Sequence, residues 1–122
     1  MLKDSEARAT IAVKDLVRAR QFYEGTLGLH ANEGMGTLVF DSGKSKIVVY
    51  KSEFAGTNKA TSATWQVPDA EKVVADLKAK GVKFEHYDLP GLERKGDIHM
   101  HGSFKGAWFK DPDGNILHVL ST

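Results

Sequence analysis

A histidine stands in the middle of an apolar segment near the end of this 122-residue chain. His118 follows the turn sequence DPDG (residues 111–114) and lies between Leu117 and Val119. Because an imidazole changes charge near neutral pH, it can bind a ligand, act as a general acid or base, or ligate a metal. A single histidine in a strand is also often structural, so the role of His118 depends on where its strand lies.

Three other residues have side chains suited to binding. Arg8 carries a planar cation that matches carboxylate or phosphate, although it can equally be a surface residue at the start of a strand. His99 and His101 alternate in the sequence DIHMHG, so in an extended segment they share one face. With His118 they could hold a transition metal. A solvated loop, or a lid over a cavity, is the favoured interpretation of this pair.

The composition excludes several classes of protein. Formal net charge is +1 and the charges are interspersed, which is not the pattern of a nucleic-acid binder. Without cysteine, neither a disulfide nor a thiolate metal site is possible. No apolar run approaches the roughly 20 residues that span a bilayer, and the polar start, MLKDSEARAT, lacks a secretory core. We therefore expect a cytoplasmic protein with no nucleic-acid or membrane partner.

The sequence contains an internal repeat. In residues 7–17 and in residues 61–71, apolar and polar side chains alternate up to an aspartate, Asp15 or Asp69, that can cap a helix. The first helix is expected to end at Gly25 or Gly28, and the second at Gly81. Each helix precedes three strand-like segments, so each half reads β-α-β-β-β. These segments are residues 29–34, 36–41 and 46–51 in the first half, and 83–88, 105–110 and 115–121 in the second.

We interpret the chain as a single domain, residues 1–122, made of two modules. The first covers about 5–52 and the second about 61–122, with a linker at 53–60. The second module is lengthened by an insertion at 87–106. Such a long segment is often functional, and we expect a loop that can act as a lid.

Two such halves can pair as an α+β fold, in which mixed sheets curve around a cup-shaped cavity and the helices cover the outer faces. Alternation assigns every second residue of a strand to the cup. Trp108 and Phe109 must point to opposite faces, and the sequence does not decide which one faces the cup. The side chains expected at the cup are those of Arg8, Thr10, Ser62, Thr64, Gln66, His99, His101, Trp108 and His118.

Two segments carry a resemblance to a known family: IAVKDLVRARQFYEGTLGL (11–29) and AWFKDPDGNILHVL (107–120). They resemble the vicinal oxygen chelate superfamily, which includes glyoxalase I, extradiol dioxygenases, and the bleomycin- and fosfomycin-resistance proteins. The resemblance implies the paired βαβββ fold, and it implies a homodimer, in which modules pair within one chain or across two.

The family's enzymes usually hold one divalent metal, with ligands from the first and last strands of each half. By the resemblance, these positions fall on Arg8, on Ser62, on His118, and among residues 47–49 (Ile-Val-Val). Only His118 is a good ligand. A guanidinium has no lone pair to give and would repel a cation. We therefore expect no metal cofactor, the alternative being one divalent metal.

Two functions from different classes follow. The first is a small-molecule-binding protein of the glyoxalase/bleomycin-resistance type, which holds its ligand in the cup without the usual metal. The alternative is a glyoxalase-like lyase or isomerase that uses His118 with a metal or as an acid–base; no other catalytic residue is indicated. The ligand's identity lies beyond the sequence.

Overall fold

The computed structural model describes residues 1–122, apart from the side chain of Glu33. The protein is α+β and contains two mixed sheets. It divides into two compact units, Met1–Thr57 and Asn58–Thr122, and the division falls inside the predicted linker, 53–60.

The first unit is a four-stranded sheet in the order β1-β4-β3-β2, with β1 and β4 parallel. Its helix crosses from β1 to β2, and the remaining strands follow as antiparallel neighbours. The predicted strands are confirmed to within one or two residues. The elements are β1 (Ala9–Val13), α1 (Leu16–Arg20), β2 (His30–Glu33), β3 (Thr37–Ser42) and β4 (Ser45–Lys51).

The first helix differs from the regular α-helix that the sequence predicts. Asp15 caps it as expected, because its carboxylate accepts hydrogen bonds from the backbone N–H groups of Val17 and Arg18. After α1 the chain continues as a π-helical segment, Gln21–Thr26, and it turns away at Gly28, which has φ of 75°. Tyr23 in this segment is fully buried and packs against Phe40 of β3, with ring centroids 5.5 Å apart.

The second unit repeats this plan and adds strands. β5 and β10 are parallel, and the sheet order is β5-β10-β9-β8-β7, with β6 also paired to β9. The elements are β5 (Thr61–Gln66), α2 (Ala70–Ala79), β6 (Phe84–Glu85), β7 (Glu93–Lys95), β8 (Ile98–His101), β9 (Phe104–Lys110) and β10 (Ile116–Ser121).

The prediction that 87–106 is a loop or lid is wrong. β6 occupies only two residues, opposite Trp108 and Phe109, instead of the predicted 83–88. The rest of that edge of β9 is paired with β8, which forms a hairpin with β7. Gly96 and Gly102 adopt positive φ at the two turns of this insertion. An unpaired sheet edge leaves backbone groups without partners, and the insertion satisfies them.

Helix α2 packs on one face of the second sheet. That face is formed by Ala107 and Phe109 of β9 and by Leu117 and Val119 of β10, all fully or nearly fully buried. At the N-terminus of α2, Asp69 accepts a hydrogen bond from the N–H of Lys72. Within the part of the chain that the structure describes, no helix is long and apolar enough to cross a membrane.

The turn before β10 is held by one buried carboxylate. Asp111 Oδ1 accepts hydrogen bonds from the backbone N–H groups of Asp113 and Asn115, both at 2.9 Å. Its Oδ2 accepts another from the side-chain amide of Asn115 at 2.8 Å. Gly114 completes the turn with φ of 92°. The carboxylate therefore aligns the start of β10 with the end of β9.

We predict that Asp111→Ala lowers the free energy of unfolding by about 2–3 kcal/mol, because it leaves buried donors of the turn without an acceptor. Urea unfolding followed by circular dichroism measures this difference. The matched control is Asp4→Ala, at a fully exposed position, where we expect a change within about 0.5 kcal/mol. Equal effects of the two substitutions would contradict the role given to Asp111.

Candidate functional site

The face of the second sheet opposite α2 carries an aromatic cluster centred on Trp108. The β9–β10 register places Trp108 directly opposite His118, and the β5–β10 register places Thr64 on the other side of His118. The indole and imidazole rings are stacked, with centroids 4.0 Å apart and planes 5° from parallel. This decides the question left by the sequence: Phe109 faces α2, and Trp108 faces the other side.

His99 joins this cluster from β8. Its ring meets that of Trp108 edge to face at 4.9 Å. The backbone N–H of Tyr87 donates a hydrogen bond to His99 Nε2 at 3.0 Å. In the neutral ring, Nε2 is then the acceptor and Nδ1 carries the hydrogen. His99 is thus a buried residue of a strand, which corrects its assignment to a solvated loop or lid.

Two ring nitrogens of the cluster, His99 Nδ1 and His118 Nε2, are buried without a hydrogen-bond partner among the described residues. His118 Nε2 lies against Gly106, where an added Cβ would be only 2.8 Å from it. The same Cβ would be 2.8 Å from the ring of Phe104. The absence of a side chain at Gly106 therefore provides the space that the imidazole occupies.

Burial, with a smaller contribution from His99, lowers the pKa of His118 from 6.5 to about 4. At neutral pH the ring is therefore uncharged.

A cavity of about 380 Å³ lies beside Trp108. Trp108 is held there by its indole N–H, which donates a hydrogen bond to Thr61 Oγ1 at 3.2 Å. Tyr87 contacts the indole edge to face at 5.6 Å. The lining residues all belong to the second unit: Lys59, Ala60, Thr61, Tyr87, Leu89, Trp108 and Ile116.

Sequence reasoning missed Thr61, and a β-bulge explains why. Strict alternation along β5 groups Thr61 with Ala63, away from Thr64. In the structure Thr61 pairs with Ile116 and Ala63 pairs with Leu117, so the register shifts and Ser62 has no partner on β10. Thr61 thereby reaches Trp108, while Ser62 is the extra residue of the bulge. Tyr87 and Leu89 were missed as well, because they lie in the insertion.

The remaining predicted residues fall into two groups. In the second unit, Thr64 and Gln66 share the His118 face and are exposed, and His101 at the end of β8 is exposed too. In the first unit, Arg8 is exposed just before β1, and Thr10 is exposed within it. None of these five lines the cavity beside Trp108.

The described residues do not fit the divalent metal that the resemblance implies. The register pairs Thr10 with Val48 in the first unit, as it pairs Thr64 with His118 in the second, so Val48 is the counterpart of His118. Among the side chains that the structure describes, no three His, Asp or Glu residues are grouped closely enough to hold a metal ion. The suggested His99/His101/His118 site is therefore not formed among the described residues.

We predict that the lowered pKa of His118 makes stability depend on pH between about 6.5 and 4. The unfolded chain binds a proton at His118 in this range and the folded chain does not, so stability is present above pH 6.5 and is lost as the pH falls. Relative to His118→Gln, the wild-type protein should lose about 3 kcal/mol from pH 7 to pH 4. Urea unfolding at several pH values measures the difference, and parallel pH profiles would contradict it.

Comparison with known proteins gives the same fold. The family described as the Glyoxalase/Bleomycin resistance protein/Dioxygenase superfamily matches residues 7–119. No curated protein matches the sequence. Among solved structures, the fosfomycin resistance protein FosX from Listeria monocytogenes has a TM-score of 0.73 at 14% identity, covering 98% of this chain and 93% of that one.

Two further structures are similar over nearly their full lengths. Lactoylglutathione lyase from Agrobacterium tumefaciens has a TM-score of 0.71 at 15% identity, with 98% and 95% of the two chains covered. An integron cassette protein from Vibrio cholerae has a TM-score of 0.67 at 23% identity, with 99% and 98% covered. At these identities the structures establish the fold, and the family match establishes membership. The chain belongs to the Glyoxalase/Bleomycin resistance protein/Dioxygenase superfamily.

Proposed function

We propose that this protein binds a small molecule in the cavity beside Trp108, without the family's usual metal site. The observation that carries the proposal is the fixed orientation of Trp108, which has one ring face against His118, its N–H bonded to Thr61, and Tyr87 at its edge. Ligand sites are typically lined mainly by apolar and aromatic side chains with a few polar groups, and the lining of this cavity has that composition.

In this proposal His118 is a positioning residue. Its neutral ring stacks on one face of the indole, and its Nε2 is buried without a hydrogen-bond partner among the described residues. The same two features weaken the alternative of a lyase or isomerase that uses His118 as acid–base, because a proton must be able to reach the reacting nitrogen.

The cavity chemistry also bears on the kind of ligand. Its described lining contains one cation, Lys59, and no carboxylate. A strongly basic ligand would therefore lack a counter-charge, which weighs against a bleomycin-type ligand. The structural relatives include proteins named for fosfomycin resistance and for lactoylglutathione cleavage, and small molecules of this kind are consistent with the proposal.

We predict that Trp108→Phe weakens ligand binding at least fivefold, because it removes part of the stacking surface and the hydrogen bond to Thr61. A panel of small aromatic and anionic compounds, screened by thermal shift and followed by calorimetry, identifies the ligand to be used. The matched control is Trp65→Phe: Trp65 pairs with Val119 and thus lies on the α2 side of the sheet. Equal losses in the two variants, or a panel without any ligand, would contradict the proposal.

We predict that the protein purified in non-chelating buffer contains no stoichiometric metal, because the described residues lack a set of three ligands. Elemental analysis of the wild-type protein and of His118→Ala measures this. Stoichiometric Zn, Ni, Mn or Fe in the wild type that is lost in the variant would contradict the proposal and support the metal-dependent lyase or isomerase. Homodimer formation and a cytoplasmic location stay predictions.

A further inference from the structure

We infer that the cavity beside Trp108 selects planar aromatic carboxylates, and that Lys59 is the residue that selects the negative charge. The inference rests on the proposed function, since it names the ligand class of the same cavity. It is carried by the combination of aromatic and aliphatic walls with a lysine that has no described ion-pair partner and a hydroxyl donor, both among the lining residues.

The walls favour a flat ring. Trp108 and Tyr87 meet edge to face, so together they form an angled aromatic surface, and Leu89 and Ile116 add aliphatic surface. An aromatic ligand stacks or packs edge-on against such rings more favourably than an aliphatic ligand of equal size. Burial, together with the nearby carboxylate of Glu85, raises the pKa of Tyr87, so this wall stays uncharged at neutral pH.

The charge preference comes from Lys59. This residue lines the cavity, it is exposed, and it has no ion-pair partner among the described side chains. Its backbone is held in a local turn, because Asn58 Oδ1 accepts a hydrogen bond from the N–H of Ala60 at 3.0 Å. Other lysines of this unit already form ion pairs, as Lys105 does with Glu71 and Lys110 does with Glu85.

Thr61 supplies the second polar group. Its Oγ1 accepts the hydrogen bond from the Trp108 indole, which leaves its own hydroxyl hydrogen available to donate. A carboxylate has two acceptor oxygens, so it can receive the Thr61 hydroxyl on one and the Lys59 ammonium on the other. A neutral ligand uses only part of this arrangement, and a cation would be repelled by Lys59.

The test is isothermal titration calorimetry at low ionic strength with naphthalene-2-carboxylate and its neutral partner, naphthalene-2-carboxamide. We expect the acid to bind about fivefold more tightly than the amide, and we expect salt to reduce this preference. Lys59→Gln should remove the preference, because it weakens binding of the acid much more than binding of the amide, and Lys59→Arg should retain it. The matched control is Lys44→Gln, an exposed lysine of the β3–β4 turn in the other unit.

Each outcome separates this inference from the proposed function. If acid and amide bind equally, or if the preference survives in Lys59→Gln, the assignment of Lys59 is wrong although the cavity still binds small molecules. If benzoate binds no better than cyclohexanecarboxylate, the requirement for a planar ring is wrong. If these ligands and every other member of the panel fail to bind, the proposed function itself is overturned.

Discussion

The antiparallel pairing of β9 with β10 is the constraint on which the site depends. Its register sets Trp108 opposite His118 on one face of the sheet and Phe109 opposite Leu117 on the other. Because side chains alternate along a strand, a slip of one residue would exchange the two faces and move the indole under α2. Asp111 stabilises this register, because both of its carboxylate oxygens accept hydrogen bonds within the turn that joins the two strands.

Much of the fold could be predicted because the same helix-capping and strand patterns occur in both halves of the sequence. Asp15 and Asp69 cap the two helices, and the strands of the first unit lie within one or two residues of their predicted bounds. The assignment of His118 to the face opposite the helix followed from alternation alone, and the structure agrees. Period-two alternation is reliable wherever a strand is regular and one of its faces is buried.

The errors have local physical causes. The register shift between Thr61 and Ala63 breaks the alternation by one residue, and no glycine marks it, so Thr61 was not among the predicted site residues. The insertion contains short strands that are stable only against the free edge of β9, which a local sequence pattern does not reveal. The choice between Trp108 and Phe109 was undecidable because both are large aromatic residues, and only pairing with β10 distinguishes them.

One edge of β9 is shared end to end by two strands, since β6 pairs with its C-terminal part and β8 with its N-terminal part. The connection between β6 and β7 is therefore attached at both ends to strands that are paired within the sheet. Tyr87 and Leu89, two walls of the cavity, belong to this bridging segment. The length or sequence of this segment can therefore change the walls of the cavity without altering a strand pairing of the sheet, so different residues set the ligand preference and the stability of the sheet.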